Sequence, residues 1–268
     1  MKNFFCRKST LWFLADRKLR VYTGGKRNNI LGGMKTMITA HSGCDHTQDN
    51  SLEFIKYALT LPVDAFEIDI RENTRGELVL SHDETEEDAP WLADAFRLLR
   101  AHPTMRINCD LKQKGLEEAV FSLAKELEVE DRLIFTGDVE PRLFPRGASR
   151  YPQVVWFTNL ETLDPEFAVW QRSASEGEIR SRLEQVLEQM TDYETAGLNW
   201  NYPLAELVWE KAKALGIGIS VWTVNDPFQQ KLWLERKIDN ITSRNTAELI
   251  GLTGYDKRES QWEEQEIL

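Results

Sequence analysis

From residue 35 onward the chain alternates short runs rich in β-branched and apolar residues with longer segments of helical spacing. Strand-like runs fall at 37–40, 65–71, 77–81, 106–111, 132–136, 153–158, 197–200, 218–224 and 240–242. Helical spacing fills 50–61, 91–101, 116–127, 176–191, 204–215 and 227–236, with a further short helix starting near Glu140. In the longest of these, Ile179, Leu183, Val186, Leu187 and Met190 form one apolar stripe. Asp49 or Asn50 is placed to cap the helix at 50–61. Repeated strand–helix alternation predicts a parallel sheet with helices packed outside it. Periodicity alone admits either a closed (β/α)8 barrel or an open doubly wound sheet. No Gly-x-Gly-x-x-Gly follows a strand, which lowers the open dinucleotide-binding option. Nine strand-like runs are one more than a barrel needs. The run at 77–81 follows its predecessor across a turn at 73–76, so it is the extra strand, in a hairpin-like position.

Several runs carry chemically capable residues at or near their carboxyl ends, where the active site of a barrel sits. His41 follows the first run, and His82-Asp83 follows the extra strand. Glu67 and Asp69 are two apart on the second run, so both side chains face one way, with Ile68 and Ile70 facing the other. Asp110 and Lys112 share the same spacing, as do Asn199 and Asn201, while Trp222 and Asn225 end the run near the carboxyl terminus. Carboxylates held side by side repel unless a cation lies between them, and a hard divalent ion such as Mg²⁺ or Ca²⁺ suits oxygen ligands. Two histidines nearby supply proton transfer near neutral pH. His46 and His102 have no supporting motif, and the acidic run from Glu84 to Asp88 reads as a solvated loop. Ser81-His82-Asp83 is not read as a catalytic triad, because sequence-adjacent members do not meet in triad geometry and no Gly-x-Ser-x-Gly elbow is present.

The ordered set His41-Ser42-Gly43, Asn50-Ser51, Glu67-Ile68-Asp69 and His82-Asp83 resembles the glycerophosphodiester phosphodiesterase family. That family reads His-Arg-Gly, an Asn-Ser/Thr helix start, Glu-Leu-Asp and His-Asp in the same order. The likeness runs from about Met37 to Leu249 and includes Trp222-Thr223-Val224-Asn225. It implies a single-domain (β/α)8 TIM barrel over 34–252, with Mg²⁺ or Ca²⁺ held by Glu67, Asp69 and Asp110. It further implies His41 and His82 as general acid and base, and substrate contacts from Lys112, Trp222, Ser42 and Asn199. The implied reaction converts a glycerophosphodiester into glycerol 3-phosphate and an alcohol, with a substrate hydroxyl attacking phosphorus first to give a cyclic phosphate. Three departures stand out. Asp110-Leu111-Lys112 replaces Glu-x-Lys and is similar, at this point, to the spider-venom sphingomyelinase D enzymes. Ser42 replaces the arginine that contacts phosphate, which shifts that load toward Lys112 or Arg71. Only Glu84 to Pro90 stands where many members carry a sizeable insertion, so the cleft is expected to be more open and the headgroup need not be glycerol. These departures leave two rival readings: a phospholipase D-like or lyase activity on a lysolipid or sphingolipid headgroup, and a non-catalytic barrel that binds phosphorylated ligands.

Charge narrows the partners. The net charge is −11, yet residues 1–33 hold eight Lys/Arg against one Asp, so the rest of the chain carries −18. So acidic a body argues against nucleic acid, while a metal and a local cation can still reverse the sign inside a cleft. No apolar run approaches the ~20 residues that a membrane span requires. The three cysteines, Cys6, Cys44 and Cys109, are scattered, which points to a reducing, cytoplasmic setting. The basic leader at 1–33 is expected to be poorly ordered. Arg7 and Lys8 interrupt its only apolar stretch, so it is not read as a secretory signal. Met34 or Met37 is the expected start of the barrel pattern, and 253–268 reads as an acidic, fraying tail.

Overall fold

The computed structural model describes residues 35–84 and 88–254. The leader at 1–33, the middle of the 84–90 segment and the tail beyond Gly254 lie outside the described residues, as do the expectations attached to them. The described residues form a nine-stranded sheet, with β1 (Met37–Ala40), β2 (Ala65–Glu72), β3 (Leu78–Leu80), β4 (Arg106–Leu111), β5 (Leu133–Gly137), β6 (Val155–Thr158), β7 (Gly197–Asn201), β8 (Gly218–Trp222) and β9 (Asn240–Ser243). The helices are α1 (Leu52–Ala58), α2 (Leu92–Arg100), α3 (Glu117–Glu126), α4 (Leu160–Leu163), α5 (Phe167–Trp170), α6 (Glu176–Met190), α7 (Tyr202–Ala214), α8 (Pro227–Glu235) and α9 (Thr246–Leu252). Strand β1 pairs in parallel with both β2 and β9, which closes eight strands into a (β/α)8 barrel. β3 is the extra strand and runs antiparallel to the end of β2, with Ile70 opposite Leu80 and Glu72 opposite Leu78.

The alternation of side chains across each strand divides the barrel into an inside and an outside. Outward residues such as Phe66, Ile68, Ile70, Cys109, Phe135, Trp200 and Val221 are fully or almost fully buried under the helices. Inward residues change character along the axis. At the amino-terminal end of the strands, Ala65, Ile134 and Phe157 pack with Met37 and Val155 as an apolar plug. Above the plug the inward positions are polar and bonded to one another. Thr39 Oγ1 donates to Asn240 Oδ1 at 2.8 Å, Asn240 Nδ2 to Ser220 Oγ at 2.9 Å, and Ser220 Oγ to Asn199 Oδ1 at 2.8 Å. Across the barrel, Thr136 Oγ1 donates to Asn108 Oδ1 at 3.0 Å. Such a layer is tolerated because its polar atoms find partners within it.

Several element ends differ from the sequence reading. The first helix is capped by Ser51, whose side chain accepts from Phe54 N, and not by Asp49 or Asn50. Asn50 sits at φ +50 and turns its side chain into the barrel mouth, and Asp49 pairs with Arg244 at 2.8 Å. The sequence reading places no helix at α9, a short segment with Gly251 inside it, whose first backbone amides are held by Asp45 Oδ1, at 3.0 Å from Thr246 N. The helix expected near Glu140 is a single 3-10 turn at Pro141–Leu143. The described cysteines, Cys44 and Cys109, are free and buried. No helix of the described residues is long and apolar enough to cross a membrane.

Asn240 donates to Ser220 and Thr242 and accepts from Thr39, so Asn240→Ala strips partners from three buried hydroxyls at once. It is expected to lower unfolding free energy by about 2–3 kcal/mol in urea denaturation, whereas an exposed site such as Glu248→Ala should change it by less than about 0.5 kcal/mol.

Candidate active site

The residues at the carboxyl ends of β1, β2 and β4 meet in one mouth. Register places Glu67 beside Asn108 and Asp69 beside Asp110 on neighbouring parallel strands. Oxygens of Glu67, Asp69 and Asp110 all lie within 4.8 Å of one another, and the first two side chains are buried. Each is held by a different device. Glu67 Oε2 accepts the backbone N–H of Ser42 at 3.1 Å and lies 3.5 Å from His41 Nδ1. Asp69 is gripped by Asn50, whose Nδ2 donates to Oδ2 at 2.7 Å while its Oδ1 accepts from Asp69 N at 2.9 Å. Lys112 Nζ lies between Asp69 Oδ1 at 2.9 Å and Asp110 Oδ2 at 2.7 Å.

These neighbours set the proton affinities. Burial pushes the Glu67 carboxyl up to about 7; His41 opposes the rise, while Asp69 and Asp110 add to it. Burial likewise raises Asp110, against the pull of Lys112. For the Lys112 ammonium burial alone acts downward, but Asp110 and Asp69 more than reverse it and hold the group above its ordinary value.

The cluster fits a divalent cation. Two oxygens each about 2.1–2.5 Å from one ion are separated by at most about 5 Å, a limit that the 4.8 Å spread meets. Asp110 Oδ1 is buried and has no hydrogen-bond partner, an arrangement that costs free energy unless something binds there. Backbone geometry keeps that oxygen in place. Gly137 at φ +81 passes so close that a Cβ there would lie 2.2 Å from Asp110 Oδ1. Gly43, at φ +73, likewise leaves room for Asp49 beside the turn that follows His41.

The two histidines are fixed alike in different surroundings. His41 is mostly buried, and its Nδ1 lies 2.8 Å from the carbonyl of Ser42. His82 is 67% exposed, and its Nδ1 lies 2.9 Å from Asp83 Oδ1. Both partners are acceptor oxygens, so in the neutral ring Nδ1 carries the proton and Nε2 is left for exchange. His82 is tied to the carboxylate strand from below. Ser81 N donates to Asp69 O at 3.1 Å, and Arg71 Nε donates to the His82 carbonyl at 2.9 Å.

The mouth therefore gathers His41, Glu67, Asp69, Asp110 and Lys112 through direct contacts, with His82 at its rim. Ser42 faces Asn50. It is fully buried, and its hydroxyl accepts from Asn50 N at 2.6 Å and lies 3.2 Å from Asn50 Oδ1, so it braces the residue that braces Asp69. Asn199 and Trp222 stand on β7 and β8, strands that do not neighbour β2 or β4. Asn199 is buried in the interior polar layer, and Trp222 Nε1 donates to its carbonyl at 2.9 Å. Asn50, Gly137 and the Arg71–His82 tie were not assigned these tasks from the sequence. For Gly137 the available signal was a glycine directly ending a strand, and for Arg71 it was the two-residue spacing from Asp69.

No family model and no curated protein matches the chain. Solved structures do share its fold. A putative glycerophosphoryl diester phosphodiesterase from Agrobacterium tumefaciens superimposes with a TM-score of 0.62 at 15% identity, covering 81% of this chain and 97% of that one. A glycerophosphodiester phosphodiesterase from Thermotoga maritima gives 0.57 at 18% identity, covering 81% and 98%. A phosphodiesterase from Oleispira antarctica, solved in complex with the product sn-glycerol-3-phosphate, gives 0.57 at 16% identity, covering 82% and 98%. At such identities the likeness is one of fold.

Glu67 binds its proton more tightly folded than unfolded, so the folded protein holds the extra proton between about pH 4.5 and 7. Its contribution is fully present below the unfolded value and is lost as pH rises through about 7. In EDTA, Glu67→Gln should be more stable than the parent at pH 8, on the order of 2 kcal/mol, and the two should converge near pH 4.5. Urea titrations at both pH values measure the difference; equal stabilities at pH 8 would contradict the buried-carboxyl account.

Proposed function

We propose that the chain is a metal-dependent phosphodiester hydrolase that cleaves glycerophosphodiesters to glycerol 3-phosphate and an alcohol. The observation that carries this reading is the convergence of Glu67, Asp69 and Asp110, with one buried oxygen unpartnered, beside an anchored histidine at the mouth of a barrel. The shared fold of solved phosphodiesterases, one of them holding glycerol 3-phosphate, supports the same reaction class.

Glu67, Asp69 and Asp110 would hold Mg²⁺ or Ca²⁺. Bound there, the ion supplies Lewis-acid stabilisation of charge developing on the phosphoryl oxygens. The remaining work falls to the chain. Asn50 and the Ser42 amide keep two of the carboxylates in their orientations, while Asp110, held through Oδ2 by Lys112, leaves Oδ1 open. His41 and His82 present Nε2 for proton exchange. One takes the proton of the attacking hydroxyl as the other gives a proton to the departing alcohol oxygen. The attack forms a P–O bond to the neighbouring substrate hydroxyl and breaks the P–O bond to the headgroup, leaving a cyclic phosphate. Water then opens the ring with the proton roles exchanged, which returns both histidines to their starting state. Ion binding requires Glu67 to release its proton, so affinity for Mg²⁺ falls as the pH drops below about 7.

Glycerophosphocholine and glycerophosphoethanolamine, incubated with Mg²⁺, Ca²⁺ or EDTA, test the reaction directly through release of glycerol 3-phosphate. Release that EDTA abolishes is the expected result. His41→Ala and His82→Ala should each lower kcat by roughly 10²–10⁴. Turnover that survives both substitutions would remove the histidines from the mechanism. No turnover of these or of bis(p-nitrophenyl) phosphate, together with no ion binding, would leave a barrel that only binds phosphorylated ligands.

A further inference from the structure

Building on the phosphodiester reading, we infer that Arg71 is the residue that binds the substrate phosphate. A phosphodiester brings a negative charge into a mouth already lined with three carboxylates. With a divalent ion bound and Glu67 ionised, the three carboxylates are balanced by the ion and by Lys112, and the cluster is neutral. An incoming anion therefore requires a further cation. Lys112 does not supply it, because its ammonium is shared between Asp69 at 2.9 Å and Asp110 at 2.7 Å. Ser42 does not supply it either, being uncharged, fully buried and bonded to Asn50.

Arg71 is suitably placed. It lies two residues beyond Asp69 on β2, so its side chain leaves the strand on the face that carries Glu67 and Asp69. Lys112 N donates to Ile70 O at 3.0 Å, which sets Arg71 level with Lys112 at the top of the neighbouring strand. Its Nε donates to the His82 carbonyl at 2.9 Å, which aligns the guanidinium beside one of the two proton-transfer residues. Among the described residues no carboxylate forms an ion pair with Arg71. Its two Nη groups carry N–H donors suited to grip two phosphate oxygens together, the arrangement that makes arginine a strong partner for phosphate. One guanidinium then contacts both the phosphate and the His82 backbone.

The test compares Arg71→Gln and Arg71→Lys with the parent in the full chain. Gln keeps an N–H donor for the His82 carbonyl but no charge; Lys keeps the charge without the planar fork. Two readouts are taken in the ion that supports turnover: glycerol 3-phosphate binding by calorimetry, and kcat and KM for glycerophosphocholine. Arg71→Gln should weaken glycerol 3-phosphate binding about tenfold or more and raise KM by a similar factor, with kcat changed by less than about threefold. Arg71→Lys should fall between, and recovery of binding by the charge-keeping variant separates a phosphate contact from general loosening of the His82 loop. Unchanged binding and KM in Arg71→Gln would overturn the assignment. A fall in kcat alone, with binding intact, would also overturn it, leaving Arg71 as a residue that only positions His82. If the parent itself neither binds glycerol 3-phosphate nor cleaves the diester, the phosphodiester reading fails and this assignment falls with it.

Discussion

The mutual repulsion of three carboxylates on two neighbouring strands is the constraint around which the mouth is built. At separations near 4.8 Å, and with the effective dielectric of a partly buried site, each ionised pair opposes folding by on the order of 3 kcal/mol. The chain answers with three kinds of donor: an ammonium between Asp69 and Asp110, an amide side chain on Asp69, and a backbone N–H on Glu67. They leave Glu67 without a full cation, and burial, with Asp69 and Asp110 adding to it, keeps the proton on Glu67 up to about pH 7. An ion of charge two would release that proton and satisfy the open oxygen of Asp110 together.

Holding such a cluster demands a rigid floor. The apolar plug of Ala65, Ile134 and Phe157 closes the barrel at its amino-terminal end, and the hydrogen-bonded layer above it links β1, β9, β8 and β7 side chain to side chain. Polar residues in that layer bond to one another, so the strands are cross-linked in register from within. The carboxylates of β2 and β4 stand on this layer, with Asn108 two residues below Asp110 on β4 and bonded to Thr136, which lies level with Asp110 on β5. A shift of one residue in any strand would turn the inward set outward, which explains why the site depends on register more than on any single contact.

The strand–helix order and the paired carboxylates were legible in the sequence from alternation and spacing, whereas closure of the sheet into a barrel followed only from the likeness of the ordered motifs to a known family. Glu67, Asp69, Asp110 and Lys112 announce a shared face by spacing alone, and the outward Phe66, Ile68 and Ile70 announce helices packed behind them. What escaped depends on contacts between residues distant in the chain or on unusual backbone. Asn50 looks like a helix cap because Asn is favoured there, yet its left-handed φ of +50 rotates it inward and passes the cap to Ser51. Ser42 looks like a weakened phosphate contact, yet the turn at Gly43 directs its hydroxyl to Asn50. Asn199 and Trp222 end strands as expected, but their partners lie within the β7–β8 side of the barrel, which no spacing rule reveals.

The remaining tension is between an acidic protein and an anionic ligand. Outside its basic leader the chain carries −18, so the far field repels any phosphodiester. At physiological ionic strength that repulsion is screened beyond about 8 Å, which is shorter than the width of the barrel. Encounter is therefore unaided by steering, and recognition rests on groups within contact distance. In the mouth those groups are few: a carboxylate cluster that an ion brings to neutrality, two histidines anchored through Nδ1, and a guanidinium on β2 without a carboxylate partner among the described residues. With the cluster neutral, the phosphate contact inferred for Arg71 would favour an anion over a neutral ester. Its attachment to the His82 carbonyl means that the inferred phosphate contact and the orientation of His82 would draw on the same side chain.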